Sequence, residues 1–185
     1  ALVDSDNILP DPTWLARMLE PFADPTIIGS EPIAYTVRAT DPALTRYFSM
    51  LGMSDPLCLF TKNYDRTCTI TERWSGFEIE QEDKGNYLKL TLTTQTLPTM
   101  GANGFIFRRA MLENLAWHPY FFDIDIVHQF VERKLGHIAK VKVGIIHLYC
   151  RRLREFANKQ RRRINDYLFF SAAKQRTYPW NRRKH

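Results

Sequence analysis

The chain has no apolar run near the ~18 residues that a membrane-spanning helix needs. The longest candidate, Val143 to Cys150, is far shorter and contains His147. Ala1-Leu2-Val3 offers no basic leader, so no secretory signal is expected. Cysteine is scarce: Cys58, Cys68 and Cys150 are odd in number and form no C-x-x-C pair. They read as reduced thiols of a cytosolic chain and not as a disulfide framework. No internal repeat or low-complexity stretch is present. An aromatic content of 13% provides more apolar surface than a disordered chain carries. The 185 residues, 44% of them hydrophobic, suffice for one domain with a sizeable core.

What is present is charge, unevenly placed. The net charge is +6, from 26 Lys/Arg against 20 Asp/Glu. Residues 151–185 hold twelve of the basic groups and only two acids, Glu155 and Asp166, a net of +10 that leaves residues 1–150 at −4. An acidic body with a basic tail implies that the tail meets phosphate on a ligand, a nucleic acid or a lipid surface.

Ala1-Leu2-Val3 reads as the end of a buried strand running into the acidic turn Asp4-Ser5-Asp6-Asn7. A strand at the first residue suggests a piece of something longer. Asp11-Pro12 is a helix start, with Leu15, Met18, Leu19 and Phe22 as its apolar stripe. Ile27-Ile28 is a short strand, and Asp41-Pro42 starts a second helix, carried by Leu44, Tyr47, Phe48 and Leu51 to Gly52. Strict alternation over Tyr87 to Thr93 after the turn Asp83-Lys84-Gly85-Asn86 predicts a hairpin over 77–93. A glycine-bracketed loop, Gly101-Ala102-Asn103-Gly104, precedes the strand Phe105-Ile106-Phe107. Residues 123–135 are helical with Gly136 as the stop, 138–149 extended, and 153–171 a long helix. Helices alternating with strands make the class α/β.

The pair Asp4 and Asp6 on a tight turn after a strand can place hard oxygen ligands on one divalent cation that bridges phosphates. The same acids could simply cap the turn. An EF-hand is excluded, because the sixth loop position is not Gly and the twelfth is not Glu. An aspartyl-phosphate phosphatase would carry Thr or Val where Asn7 stands, which leaves a nucleotide-sugar transferase as the better fit.

At these residues the chain resembles family 2 glycosyltransferases, in which an Asp-x-Asp follows a central strand. Gly101 to Arg109 is similar to the family's small-residue loop and following strand near the sugar. Phe122-Asp123-Ile124-Asp125 followed by Gly136 resembles its acidic acceptor-site motif. Gln160-Arg161-Arg162-Arg163-Ile164 is similar to the Gln-x-x-Arg-Trp motif of the membrane-associated branch, which includes ceramide glucosyltransferases and polysaccharide synthases. The ordered series covers residues 1 to about 165. Two departures stand out: Ile124 where the family usually has Glu, and Ile164 where it has Trp.

The resemblance implies a GT-A type fold, a mixed sheet flanked by helices, of which residues 1–150 are the acceptor- and metal-binding half and 151–185 a basic amphipathic helix with a juxtamembrane-like tail. The nucleotide-binding half would precede it, and the fragment alone is expected to be inactive. It implies an inverting transfer from a nucleotide-sugar donor to a lipid or polysaccharide acceptor hydroxyl at the cytoplasmic face of a membrane, with no nucleic-acid partner. Asp4, Asp6 and His147 would hold Mn²⁺ or Mg²⁺, with Asp6 also facing the diphosphate. Asp125 would be the general base. Gln160 and Arg163, three apart on one helix face, would grip the diphosphate. Gly101, Asn103, Gly104 and Asp123 would line the acceptor and sugar.

Each residue also has an ordinary structural reading. Asp123 and Asp125 suit a helix N-terminus, His147 suits a hydrogen-bonded strand position, and Arg161-Arg162-Arg163 suits a solvated face or anionic lipid. Trp74, Trp117 and Trp180 could stack on a sugar, although Trp more commonly fills a core or an interface. Residues 46–66 fall where acceptor loops lie in the resembling family. Two further functions compete: a nucleic-acid module in which Tyr167, Phe169, Phe170, Tyr178 and Trp180 stack on bases, and a non-catalytic scaffold.

Overall fold

The computed structural model describes residues 1–113, 115–117 and 123–178. Phe122, Trp180 and the juxtamembrane-like stretch 179–185 lie outside the described residues. The chain is α/β, as expected: one mixed six-stranded sheet flanked by helices. Its centre is a parallel pair, β2 (Ile27–Tyr35) and β6 (His137–His147), running from Ile27↔His137 to Tyr35↔Ile145 with irregularities at Ile27/Gly29 and Pro32/Ala34. β5 (Ile106–Phe107) adds antiparallel to β2. The hairpin of β3 (Glu80–Asp83) and β4 (Tyr87–Thr91) adds antiparallel to β6. β1 (Asn7–Ile8) pairs with the carboxyl end of β6 through Asn7↔His147.

The two sheet faces are covered by different helices. Alternate residues of β6, Val141, Val143 and Ile145, cluster with Trp14 and Met18 of α1 (Trp14–Leu19). Ile138 joins Ile124, Val127 and Phe130 of α5 (Asp123–Glu132), as strand and helix periodicities together dictate. A third cluster joins Phe48 and Leu51 of α2 (Ala43–Leu51), Cys58 of α3 (Leu57–Phe60), and Tyr149. Phe156 of α6 (Leu153–Ala172) stacks on Phe48 at 5.0 Å between ring centroids and so docks that helix. A short helix, α4 (Arg109–Leu112), follows β5. All three cysteines are free and buried.

Several expectations are corrected. The first helix is only six residues long and buries Trp14 and Met18, while Leu15 and Leu19 stay exposed; one turn and a half has room for a single inward pair at i, i+4. Asp11 does act at its start, accepting from the Thr13 amide at 2.9 Å. The opening residues make only an isolated bridge, Leu2↔Phe105. Ile27-Ile28 begins a nine-residue central strand, whose continuation Gly29-Ser30-Glu31-Pro32 hides behind a composition that disfavours strands. On α2, Tyr47 points to solvent and Thr45 inward, where its hydroxyl donates to the Cys150 carbonyl at 3.0 Å.

Candidate functional site

Ligand sites in open sheets lie beyond the carboxyl ends of parallel strands. Here those ends are Tyr35 and His147, and β1 brings the acidic turn to the same edge. The turn is closed by Asn7 N–H donating to the Asp4 carbonyl at 3.0 Å and by Asn7 Oδ1 accepting from the Asp4 amide at 3.1 Å. The Asp6 carbonyl accepts from Leu148 N–H at 2.8 Å, which fixes the turn on the strand beside His147.

Asp6 Oδ2 lies 3.5 Å from His147 Nε2 and 3.5 Å from Lys159 Nζ. Burial pushes the Asp6 pKa up, but the hydrogen bonds and charges of His147 and Lys159 outweigh it, so the carboxyl sits below its ordinary value. His147 Nδ1 is 3.4 Å from the Ser54 hydroxyl. From α6, Gln160 Nε2 donates to Tyr149 Oη at 2.9 Å and to the Ser54 carbonyl at 3.3 Å, and Arg163 Nη1 donates to that same carbonyl at 3.3 Å. Lys159 and Arg163 also stand over the Tyr149 ring, at 4.6 and 5.3 Å. Asp6, His147, Gln160 and Arg163 are therefore neighbours, joined through Ser54, Tyr149 and Lys159.

The glycine loop reaches the same edge. Asn7 Nδ2 donates to Asn103 Oδ1 at 2.9 Å, and Asn103 Nδ2 donates to Tyr35 Oη at 3.1 Å. Gly104 N–H donates to the Leu2 carbonyl at 2.7 Å. Gly101 and Gly104 have φ of +129° and +93°, which exclude side chains on their own. A Cβ on Gly101 would also stand 2.9 Å from the Asp123 carbonyl, so this glycine permits the loop to lie against the start of α5. Asn103 serves as a strut between the acidic turn and β2.

The two acids of α5 part company. Asp125 is 4% exposed and fully engaged. Its Oδ2 accepts from Arg176 Nε at 2.7 Å, and its Oδ1 from the amides of Thr177 at 2.8 Å and Tyr178 at 2.6 Å. It clasps the segment after α6, whose Tyr178 is buried with its hydroxyl donating to the Leu97 carbonyl at 2.8 Å. Asp125, expected as a general base, here spends both carboxylate oxygens on this buried clasp, which weighs against that role. Asp123, half-buried, has its pKa raised by burial first; the Ile124 amide opposes this and the charges of Asp4 and Glu31 reinforce it. Asp4 itself is exposed.

The donor set suits a hard or borderline cation in part. Asp6 and His147 supply a carboxylate oxygen and an imidazole nitrogen on a side chain pair that solvent still reaches, the Asp6 side chain being 34% exposed. Among the described residues no group of three or more His, Cys, Asp or Glu gathers to hold a metal. Mg²⁺ and Mn²⁺ favour oxygen donors, so Asp6 fits them, with substrate phosphates and water able to complete the shell, and the His147 imidazole fits less well.

Two of the three candidate tryptophans, Trp74 and Trp117, lie among the described residues. Trp74 is buried, its indole N–H donates to Gln81 Oε1 at 2.9 Å, and Lys140 lies over its ring at 5.1 Å. Trp117 is exposed, with its indole N–H donating to the Leu112 carbonyl at 3.2 Å. Of the described aromatics that could stack on bases, Tyr178 is buried and Tyr167 and Phe170 are half-buried, while Phe169 is open to solvent.

Sequence reading missed Ser54, Tyr149 and Lys159, and with them a buried ionic group formed by Glu31, Asp65, Arg66 and Lys140. Lys140 carried the one available signal: a lysine inside the apolar run 138–146 must find a partner. No protein-family model matches the chain, and no curated protein or solved structure matches it at a significant level.

Proposed function

We propose that the chain is the metal- and acceptor-binding half of a GT-A type, inverting glycosyltransferase that moves a sugar from a nucleotide-sugar to a lipid or saccharide hydroxyl. The observation that supports this reading is convergence. Residues 4–7, 101–104, 147 and 160–163, far apart in sequence, meet at one sheet edge in contacts of 2.9 to 3.5 Å, and the loop lies against the Asp123 backbone.

A divalent cation, Mn²⁺ or Mg²⁺, held by Asp6 and His147 with Asp4 on the same turn, would neutralise charge growing on a departing diphosphate. Lys159, Gln160 and Arg163 put two cationic groups and an amide beside that position and would bind the phosphate oxygens. Asp123 takes the role of base in place of Asp125: its environment favours the protonated form more than an exposed carboxylate's does, and it starts a helix abutting the glycine loop. Gly101 and Gly104 let backbone approach a sugar where a side chain would intrude.

Mn²⁺ binding, read by electron paramagnetic resonance with a nucleoside diphosphate present, tests the cation site. Asp6→Asn and His147→Ala should each weaken it by at least the ~10–100-fold that loss of a supporting partner typically costs. Unchanged affinity in both would remove the metal from this edge.

The outer face of α6 supports a membrane surface as partner. Leu153, Ile164, Leu168 and Phe169 are 58–71% exposed and are interspersed with exposed Arg154, Arg161 and Arg162. Among the described residues no helix is long and apolar enough to cross a membrane. Such a helix lies in the headgroup layer, apolar side down. Co-sedimentation with vesicles rich in anionic lipid should fall roughly 100-fold in affinity when all three arginines become Gln, at ~1 kcal/mol each. Equal binding to neutral vesicles, or no loss, would count against it.

A further inference from the structure

Beside the edge just described, four charged side chains share the interior. Glu31 and Lys140 are directly paired across β2 and β6, with Lys140 Nζ 2.5 Å from Glu31 Oε2. Arg66 Nη1 lies 3.0 Å from the same oxygen and also pairs with the Asp65 carboxylate. Lys140 donates to the Asp65 carbonyl as well. Glu31, Arg66 and Lys140 are all 0% exposed. An apolar cluster of the same volume would serve stability as well or better.

Further bonds from two of these ions reach the glycine loop. Glu31 Oε1 accepts from Gly101 N–H at 3.0 Å, and Arg66 Nη2 donates to the carbonyls of Ala102 at 3.0 Å and Asn103 at 3.4 Å. Three successive loop residues are thus held by two buried ions. The loop is conformationally special: besides its two glycines, Asn103 has φ of +51°, a left-handed conformation that Asn adopts more readily than most residues but still at some cost. Arg66 also stands over the ring of Tyr35, at 5.4 Å, whose hydroxyl receives the Asn103 amide.

We propose that Arg66, fixed by Glu31 and Asp65, is a positioning residue that sets the 101–104 loop and, through the Asn103–Asn7 hydrogen bond, the Asp4–Asn7 turn. The reach of this effect into catalysis rests on the glycosyl-transfer reading; the ordering of the loop does not. A planar fork serves two carboxylates and three carbonyls at once, which a lysine ammonium cannot.

The test is Arg66→Lys, which keeps the buried charge and loses the fork. In amide hydrogen exchange, protection of Gly101 and Gly104 should fall roughly tenfold or more while the β6 amides keep theirs, since loop opening is a local event. In donor turnover, Arg66→Lys and Asn103→Ala should be non-additive, the second adding less than about twofold in the background of the first. Glu31→Gln, which keeps an acceptor for Gly101 and removes the charge holding Arg66, should act in the same direction if Arg66→Lys does not fold. Unchanged loop protection, loss in step with β6, or multiplicative kinetic effects would each overturn the proposal. Absence of turnover in the complete protein, nucleotide-binding half included, would refute glycosyl transfer and leave the exchange result to decide the positioning.

Discussion

Asp123→Asn is expected to cut sugar transfer by ~10²–10⁴-fold, the usual contribution of a well-placed base, while leaving the protein folded. The substitution is nearly isosteric, and the one hydrogen bond it must preserve, Ile124 N–H to Asp123 Oδ1 at 2.8 Å, is kept by the amide oxygen. The effect should fall on kcat more than on donor KM, because a base acts on the proton in flight and not on bound donor. Steady-state kinetics with a thermal melt of the same sample separate the two. Full turnover in Asp123→Asn would remove it from the reaction.

Asp125→Ala is expected to act on stability, by about 3–5 kcal/mol, the range for stripping one partner from a buried ion pair. Arg176, with an 11% exposed side chain, would lose its carboxylate, and the amides of Thr177 and Tyr178 would lose their acceptor. At roughly 2–4 °C per kcal/mol for a chain of this size, the melting temperature should fall on the order of 10 °C. Asp125→Asn keeps an acceptor and should cost less. Exchange at Thr177 and Tyr178 should rise first, as the clasp opens before the sheet. A melting temperature within a degree of the original in Asp125→Ala would show that the clasp contributes little.

These paired predictions mark where sequence reading reached its limit. Asp123 and Asp125 are two residues apart, hence about 200° apart around a helix. Which of them meets the acidic turn depends on what α5 packs against, and that includes a segment some fifty residues later that no local pattern announces. Periodicity served well where burial is one-sided: Leu88 and Leu90 face inward in the hairpin, and α6 runs from Leu153 to Ala172. It failed on β2, which is buried along most of its length yet carries Glu31, because a charge in a central strand reads as a loop until Lys140 and Arg66 are placed beside it.

The gathering of Asp6 with His147, and of Gln160 with Arg163, was legible as motif order. The geometry adds the intermediaries: Ser54, Tyr149 and Lys159 tie α6 to the acidic turn, and Asn103 ties the turn to the sheet. Lys159 matters by charge: its ammonium lies 3.5 Å from Asp6 Oδ2.

The most direct measurement of the central claim is release of nucleoside diphosphate from a nucleotide-sugar by the complete protein with a lipid or saccharide acceptor, with Mn²⁺ and then with chelator. Glycosyl transfer by this edge predicts acceptor-dependent release that needs the metal and disappears in Asp6→Asn and Asp123→Asn. Release that persists with chelator, or is untouched by both substitutions, would contradict it.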